Sequence, residues 1–206
     1  MKWTNFGNLF KKNKNLQLND PEEYGDWWTY TCFKRDSRLF LAFESGKRNE
    51  KTCACMLDLF FRRMELPSPE NKISIFTDGN LQYSICLPEL YCEPCLDYAQ
   101  IIKVKENNRI VCVIREIIWG NPDISTISTS IVEGYNNKIR QRLSRFGRKT
   151  VAFSKRVKGY LASLNIFQFV HNFIETNINR QSPAMIENIT DHLWNWNEFL
   201  NHHVQL

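Results

Sequence analysis

The chain has 206 residues, with 27 lysines and arginines against 22 aspartates and glutamates, so its formal net charge is +5. A hydrophobic fraction of 43% with 13% aromatic residues can build a sizeable core, which excludes a disordered, collagen-like or low-complexity chain. No stretch is long and apolar enough for a membrane helix, so we expect no membrane partner. The absence of a signal peptide and the odd number of cysteines predict reduced thiols and a cytoplasmic location.

The first half of the chain has the pattern of strands with one helix. Residues 1–20 are polar and lack periodicity, which predicts a flexible lead-in to a single folded domain over residues 21–206. Aromatic and β-branched residues over 27–33 and 38–43 flank a charged turn and predict a hairpin, and a third edge strand is expected near residues 45–48. Apolar residues at helical spacing then predict a helix over 50–65.

The second half changes from strands to helices. A short strand is predicted over 72–77, and two further strand-like pieces lie within 101–119. Helical patterns follow near 130–146, 151–178 and 183–200. This order predicts an α/β fold in which a mixed β-sheet is flanked by helices and followed by a C-terminal helical extension.

A basic segment lies in the first of these C-terminal helices and just beyond it. Between Asn137 and Lys158 there are nine lysines and arginines and no acidic residue. Arginine-rich segments favour a nucleic-acid partner because guanidinium groups bind phosphate oxygens, although a solvated helix face has the same pattern. The residues expected to contact DNA are Asn136, Asn137, Lys138, Arg140, Arg142, Arg145, Arg148, Lys149, Lys155 and Arg156.

Three carboxylates occupy positions from which a divalent cation could be bound. Asp26 begins the first predicted strand, Asp78 ends a later one, and Glu133 lies in the first turn of the basic helix. If the first and fourth strands are neighbours, these groups converge at one end of the sheet. Hard cations such as Mg²⁺ bind carboxylate oxygens, and two ions about 3.5–4 Å apart can activate an attacking oxygen and stabilise a leaving one.

Each carboxylate also has a plainer interpretation. Ser130 and Glu133 have the spacing of a capping box, in which the glutamate would only satisfy amides at the start of a helix. Asp78 and Asp26 each adjoin a glycine and are typical of turns. Cys92 and Cys95 form a CxxC motif, but no second pair has zinc-ribbon spacing, so a structural zinc is not expected.

Several motifs together resemble a known family. Residues 128–155 are similar to the C-terminal catalytic segment of the IS-one type insertion-sequence transposases, which has Glu-Arg-x-Asn, then Leu-Arg-Gln-x-Leu-x-Arg, then Arg-Lys-x-x-x-Phe-Ser-Lys. Thr-Asp-Gly at 77–79 resembles another motif of that family. Further likenesses, in the family's order, lie at 97–104, 120–123, 182–185 and 190–194, so the resemblance runs from about Gly25 to Phe199.

The resemblance implies an RNase H-like fold and a DDE transposase, which uses two Mg²⁺ or Mn²⁺ ions to hydrolyse and then transfer DNA strands. It implies that Asp26, Asp78 and Glu133 are both the catalytic and the metal-binding residues. Insertion-sequence ends and target DNA would be the partners, at the nucleoid in the cytoplasm, and the resemblance leaves a homo-oligomer open.

The sequence departs from the family pattern at three points. Gly134 stands where the family has an arginine, and an ungapped match to another branch of the family puts Gly25 rather than Asp26 at the first carboxylate position. The upstream zinc-binding and helix-turn-helix region has no counterpart, so we expect a separate DNA-binding protein or domain. The alternative function is a catalytically inactive DNA-binding remnant of a transposase.

Overall fold

The computed structural model describes residues 2–9, 25–107, 109–146, 154 and 156–202. Six strands in these ranges form one mixed sheet in the order β3-β2-β1-β4-β5-β6. They are β1 Lys2–Leu9, β2 Asp26–Phe33, β3 Phe40–Gly46, β4 Ile73–Asp78, β5 Leu96–Glu106 and β6 Arg109–Trp119. Strand β4 is parallel to both β1 and β5, and the other neighbours are antiparallel.

Helices cover both faces of this sheet. They are α1 Glu50–Arg62, α2 Leu81–Leu90, α3 Ser130–Arg142, α4 Val157–Phe169, α5 Pro183–Ile186 and α6 Trp196–Asn201. A π-helical turn, Val170–Ile174, continues α4. The predicted α/β fold with a mixed sheet is therefore confirmed. None of the helices in the described ranges is long and apolar enough to cross a bilayer.

The alternation of β2 separates two cores. Tyr30 packs edge-to-face on Tyr83 of α2, with ring centroids 5.7 Å apart. The neighbouring Thr29 points the other way, and its Oγ1 lies 2.5 Å from the phenol oxygen of Tyr160 in α4. Because successive strand residues face opposite sides of a sheet, α1 and α2 lie on one face and α3 and α4 on the other.

Strand β1 lies in the interior of the sheet, where the sequence analysis expected part of a flexible lead-in over residues 1–20. It pairs with β2 along its whole length, and Lys2 and Trp3 also pair with β4. Its apolar residues are spaced by three rather than by two, so the sequence lacks the alternation of a strand. Residues 10–20 of the expected lead-in lie outside the described residues.

The hairpin predicted from residues 27–43 is confirmed as β2 and β3. The amide of Lys34 donates to the carbonyl of Leu39 at 2.9 Å, which closes the turn. The third edge strand expected near 45–48 does not form, because β3 itself extends to Gly46. Asn49 then caps α1, and its side chain accepts a hydrogen bond from the amide of Thr52 at 3.0 Å. Helix α1 ends at Arg62, three residues before the predicted end.

Helix α2 was not anticipated from the sequence. It follows the turn after β4 directly, its N-cap Asn80 makes no side-chain capping bond, and Pro88 lies inside it. Its residues 81–90 are apolar on most sides, so they lack the amphipathic period that predicts a surface helix. The helix buries Tyr83, Cys86 and Leu87 against α1 and the sheet.

The C-terminal helices are shorter than predicted. Residues 151–153 and 155 of the helix predicted over 151–178 lie outside the described residues, and the helical part ends at Ile174. The helix predicted near 183–200 is instead the two short helices α5 and α6. Each has its own cap: the Ser182 hydroxyl accepts from the amide of Met185 at 3.2 Å, and Asn195 forms a capping box with Glu198.

Cys92 and Cys95 differ from the predicted reduced state, since their sulfurs are joined as a disulfide. A short 3₁₀ turn, Glu93–Cys95, brings their Cα atoms to 5.7 Å, within the usual range for a disulfide. Five cysteines in the described ranges remain thiols, and two of these, Cys55 and Cys112, are exposed.

The two outer edges of the sheet are treated differently. At β3, the side chain of Asn172 accepts from the amide of Phe40 at 2.8 Å and donates to its carbonyl at 2.9 Å. Gln168 and Arg63 donate to the carbonyls of Phe40 and Leu41, at 2.8 and 2.6 Å respectively. At the other edge, residues 109–117 of β6 are exposed, and β5 is the only described element with which β6 has an extensive contact.

Candidate active site

Asp78 is the last residue of β4, at the edge of the sheet where this strand ends. Its Oδ1 accepts a hydrogen bond from the amide of Asn80 at 3.3 Å, which shapes the turn into α2. Between them, Gly79 packs closely on β5: a Cβ added there would lie 3.3 Å from Cγ1 of Ile102. The turn interpretation of Asp78 therefore explains the role of Oδ1 but gives no role to Oδ2.

Glu133 reaches the same region from the first turn of α3. Its Oε1 accepts from the hydroxyl of Thr129 at 2.9 Å and forms an ion pair with Lys103 of β5. The helix begins at Ser130, whose hydroxyl lies 2.8 Å from that of Ser128, and the capping residue Thr129 makes no side-chain capping bond. The capping box suggested by Ser130 and Glu133 is thus not formed, so the Glu133 carboxylate is not used to cap the helix.

Strand alternation explains why Lys103 meets Glu133. Ala99 and Ile101 of β5 pack with Phe76 of β4 and with Ile127, on the face covered by α3. Lys103 is two residues beyond Ile101 and points to this same face, and Asp78, at the end of β4, is near enough for the charges of Lys103 and Glu133 to act on it. Asp78, Lys103 and Glu133 therefore share one corner of the sheet.

The charges at this corner are coupled. The pKa of Asp78 is raised to about 6, chiefly because its carboxyl is buried and secondarily because Glu133 is also negative. The amide of Asn80 and the cations Arg48 and Lys103 act in the opposite direction. Arg48 comes from the loop after β3, and its guanidinium lies 4.9 Å from the ring centroid of Trp28. The charges of Glu133, Arg48 and Lys103 therefore all act on the Asp78 carboxyl.

Asp26 does not join this group. Trp3 pairs with Thr77 in β4 and with Cys32 in β2, which puts Asp78 level with Thr31. Asp26 is five residues farther along β2, roughly 17 Å at the rise of an extended strand. It also lies on the same face of β2 as Tyr30, four residues along the strand, which faces α2, so Asp26 points away from the face covered by α3. The structure brings together two of the three predicted carboxylates.

The pair Asp78 and Glu133 suits a hard cation. Mg²⁺ is commonly bound by one or two carboxylates, with water and substrate phosphate oxygens completing its shell. In the described part of the chain, no group of three or more His, Cys, Asp and Glu side chains is close enough to enclose a metal.

Some residues of the basic segment have partners within the fold. Asn136 is only 4% exposed, and its Oδ1 accepts a hydrogen bond from the hydroxyl of Thr31 at 3.2 Å. Lys138 and Arg142 both form ion pairs with Glu175 at the end of the π-helical turn. These three predicted DNA contacts have partners within the fold.

The exposed part of the segment lies on a different side of α3 and beyond it. Asn137 is exposed and accepts at its Oδ1 a hydrogen bond from Arg140 at 3.2 Å. Arg145 and Arg156 are also exposed. Arg148, Lys149 and Lys155 lie outside the described residues, so their expected contacts with DNA have no structural counterpart.

Sequence reasoning missed Lys103 and Arg48. Lys103 lies between Ile102 and Val104 in a segment that otherwise has the pattern of a strand. A lysine inside such a segment is unusual and could have identified it as a candidate site residue. Arg48 follows a strand in an ordinary polar loop, so only the fold reveals that its charge acts on Asp78.

No family model matches this chain, and no curated protein matches it at a significant level. Function is therefore inferred from the geometry of the site and from the motifs in the sequence.

Proposed function

We propose that this chain belongs to the metal-dependent polynucleotidyl transferases with an RNase H-like fold. Within that class, we propose the catalytic domain of a DDE-type transposase of the insertion-sequence kind that its motifs resemble. The observation that carries the proposal is the meeting of Asp78 and Glu133 at the end of β4, with the pKa of Asp78 raised to about 6.

The sheet supports the same class. Its first and fourth strands are neighbours, and helices cover both of its faces, as the RNase H-like fold requires. This neighbourhood places the end of β4 in the middle of the sheet rather than at its margin, where a DNA strand can lie across the site. Residues flanking that point, Lys103 and Arg48, supply positive charge for phosphate oxygens.

Asp78 and Glu133 would hold the divalent cations, which activate a water or a 3′-hydroxyl and stabilise the leaving oxygen. Asp78 binds a cation only when its carboxyl is ionised, so activity is expected to rise with pH through about 6. The ion pair with Lys103 would orient Glu133 towards the corner before a cation arrives. Arg145 and Arg156 would contact the DNA backbone outside the site.

The partners in this proposal are the ends of the insertion sequence and the target DNA, at the nucleoid in the cytoplasm. A separate DNA-binding protein or domain would select the ends.

The test is cleavage and strand transfer on DNA that carries the sequences flanking the gene, with Mg²⁺ or Mn²⁺. Asp78→Asn and Glu133→Gln should each abolish metal-dependent cleavage, because each removes an ionised ligand while keeping the shape of the side chain. Asp26→Asn is the matched control and should retain activity. Loss of cleavage in Asp26→Asn together with the other two would contradict the two-carboxylate site.

A second candidate is the catalytically inactive DNA-binding remnant. The observation that favours it is the distance of Asp26 from the other two carboxylates, together with the ion pair that Lys103 forms with Glu133. For a remnant, wild-type protein binds DNA but neither cleaves nor transfers it with either metal, even when a DNA-binding partner is supplied. DNA binding alone does not distinguish the two candidates.

A further inference from the structure

Strand β6 exposes an unusually apolar outer edge. Five of its side chains are large, apolar and at least 38% exposed: Ile110, Val111, Val113, Ile114 and Ile117. They lie on both faces of the strand, because β6 and the end of β5 extend past the helices. A long, flat, apolar edge strand is a template for pairing with another strand, and proteins usually protect such edges.

The same molecule protects its opposite edge. Side-chain amides of Asn172 and Gln168 and the guanidinium of Arg63 satisfy the outward backbone groups at Phe40 and Leu41 of β3. In the described part of the chain, no side chain makes hydrogen bonds of this kind to the outward backbone groups of β6. The difference is expected if β6 has a partner strand and β3 does not.

The sequence of β6 allows antiparallel pairing with a second copy about Ile114. An antiparallel second copy centred there places Ile110 opposite Ile118 and Val111 opposite Ile117. Arg115 falls opposite Val113 and Glu116 opposite Cys112, so no like charges face each other directly. Residues of the same face meet, as pairing about a two-fold axis perpendicular to the sheet requires.

The exposed apolar side chains favour association with a second copy. Together they are comparable to the principal apolar patch of an ordinary monomer, and such patches often mark interaction sites. Pairing with a second β6 would satisfy the outward backbone groups of this edge and cover the sides of these residues that face the second copy.

We infer that two copies of this chain associate through β6, which pairs antiparallel with β6 of the second copy about Ile114. This inference is independent of the proposed enzymatic activity, and it concerns the edge of the sheet farthest from β3.

The first test measures the mass of the full chain in solution over a range of concentrations, by light scattering or sedimentation. The wild type should have twice the monomer mass of 24.5 kDa. Ile114→Lys should weaken association about tenfold or more, since it sets two lysines opposite each other on the two-fold axis. Ile166→Lys, in α4, is the matched control because Ile166 is 48% exposed and Ile114 is 46% exposed; it should remain dimeric.

The second test fixes the register and does not depend on Ile114→Lys folding. In a Cys55→Ser background, Glu116→Cys should form a disulfide with Cys112 of the second copy under mild oxidation, and adding Cys112→Ser should remove it. Without Glu116→Cys, the two Cys112 residues are offset by four positions, roughly 13 Å, and should not cross-link. A wild-type monomer at every concentration reached, or a cross-link between the two Cys112 residues, would overturn the inference.

Discussion

Asp78 is the residue at which burial and chemistry are in conflict. A carboxyl held out of water beside a second carboxylate resists ionisation, and this is what raises its pKa to about 6. An apolar residue at this position would avoid the free-energy cost of burying a carboxyl, yet the chain has an aspartate there, under the influence of two cations. Perturbed groups of this kind are concentrated at functional sites.

The first prediction is a pH dependence of stability due to Asp78. Between pH 4 and 6 the folded protein keeps a proton on Asp78 that the unfolded chain releases, so this carboxyl lowers stability as the pH rises. The free energy of unfolding should fall by up to about 3 kcal/mol across this range, since each unit of pKa shift corresponds to about 1.4 kcal/mol. Urea denaturation at a series of pH values measures it.

Asp78→Asn should remove this pH dependence and should be more stable than the wild type at pH 7.5. The control is Asp26→Asn, which changes an exposed carboxylate and should leave the pH profile unaltered. Identical changes in the free energy of unfolding of the wild type and of Asp78→Asn between pH 4 and 6 would contradict the prediction.

A second prediction concerns metal binding without catalysis. At pH 7.5, Mg²⁺ or Mn²⁺ should raise the melting temperature of the wild type, because a ligand that binds only the folded state stabilises it. Asp78→Asn and Glu133→Gln should lose most of this increase, and Asp26→Asn should keep it. Calorimetric scans with increasing metal concentration would give the result, and an equal increase in all four proteins would contradict it.

At the scale of elements, the edge of β3 is held by a side chain that behaves like a neighbouring strand. Asn172 both accepts from and donates to the main chain of Phe40, as a residue of a paired strand does. The bond is made possible by the π-helical turn, which carries Asn172 on from α4. π-helical turns are rare and are often found at positions with a specific role.

The third prediction is that Asn172→Ala destabilises the protein by about 2–3 kcal/mol, because it leaves the buried amide of Phe40 without an acceptor. Asn172→Asp retains an acceptor and should cost less. Asn165→Ala, on an exposed position of α4, should change stability by less than about 0.5 kcal/mol. Denaturant titrations of the four proteins test this, and equal stability of Asn172→Ala and Asn165→Ala would contradict it.

Local pattern was sufficient for some elements and insufficient for others. The hairpin of β2 and β3 and the helix α1 have strong alternation or helical spacing, and both were predicted. Helix α2 was not predicted, because it contains Pro88 and its mostly apolar sequence lacks helical periodicity. Strand β1 was not predicted, because it depends on pairing with two strands that are distant in sequence. Propensity is overridden by such tertiary contacts.

The scale of the whole molecule decides which residues form the site. Asp78 and Glu133 could be chosen from the sequence because the end of a strand and the first turn of a helix are identifiable locally. Asp26 was wrongly grouped with them geometrically, since its position depends on the register of β1 with two strands and on the parity of β2. Lys103 became part of the site through the register of β4 with β5.

The fourth prediction concerns DNA binding by the whole basic segment. Arg145→Ala and Arg156→Ala should each weaken binding to any DNA sequence and reduce the slope of log affinity against log salt by about one. Lys138→Ala should have a smaller effect on this slope, because the Lys138 ammonium group is held in an ion pair with Glu175 within the fold. Fluorescence anisotropy at several salt concentrations distinguishes these variants, and equal slopes in all three would contradict the assignment.

The capped edge at β3 limits how far the sheet can grow. If two copies join through β6, the resulting twelve-stranded sheet ends at β3 on both sides, where Asn172 and its neighbours already occupy the backbone groups. A third copy would meet occupied backbone groups at the start of β3, which opposes growth of the sheet beyond two copies. The amide of one asparagine would thereby separate a finite particle from a fibre.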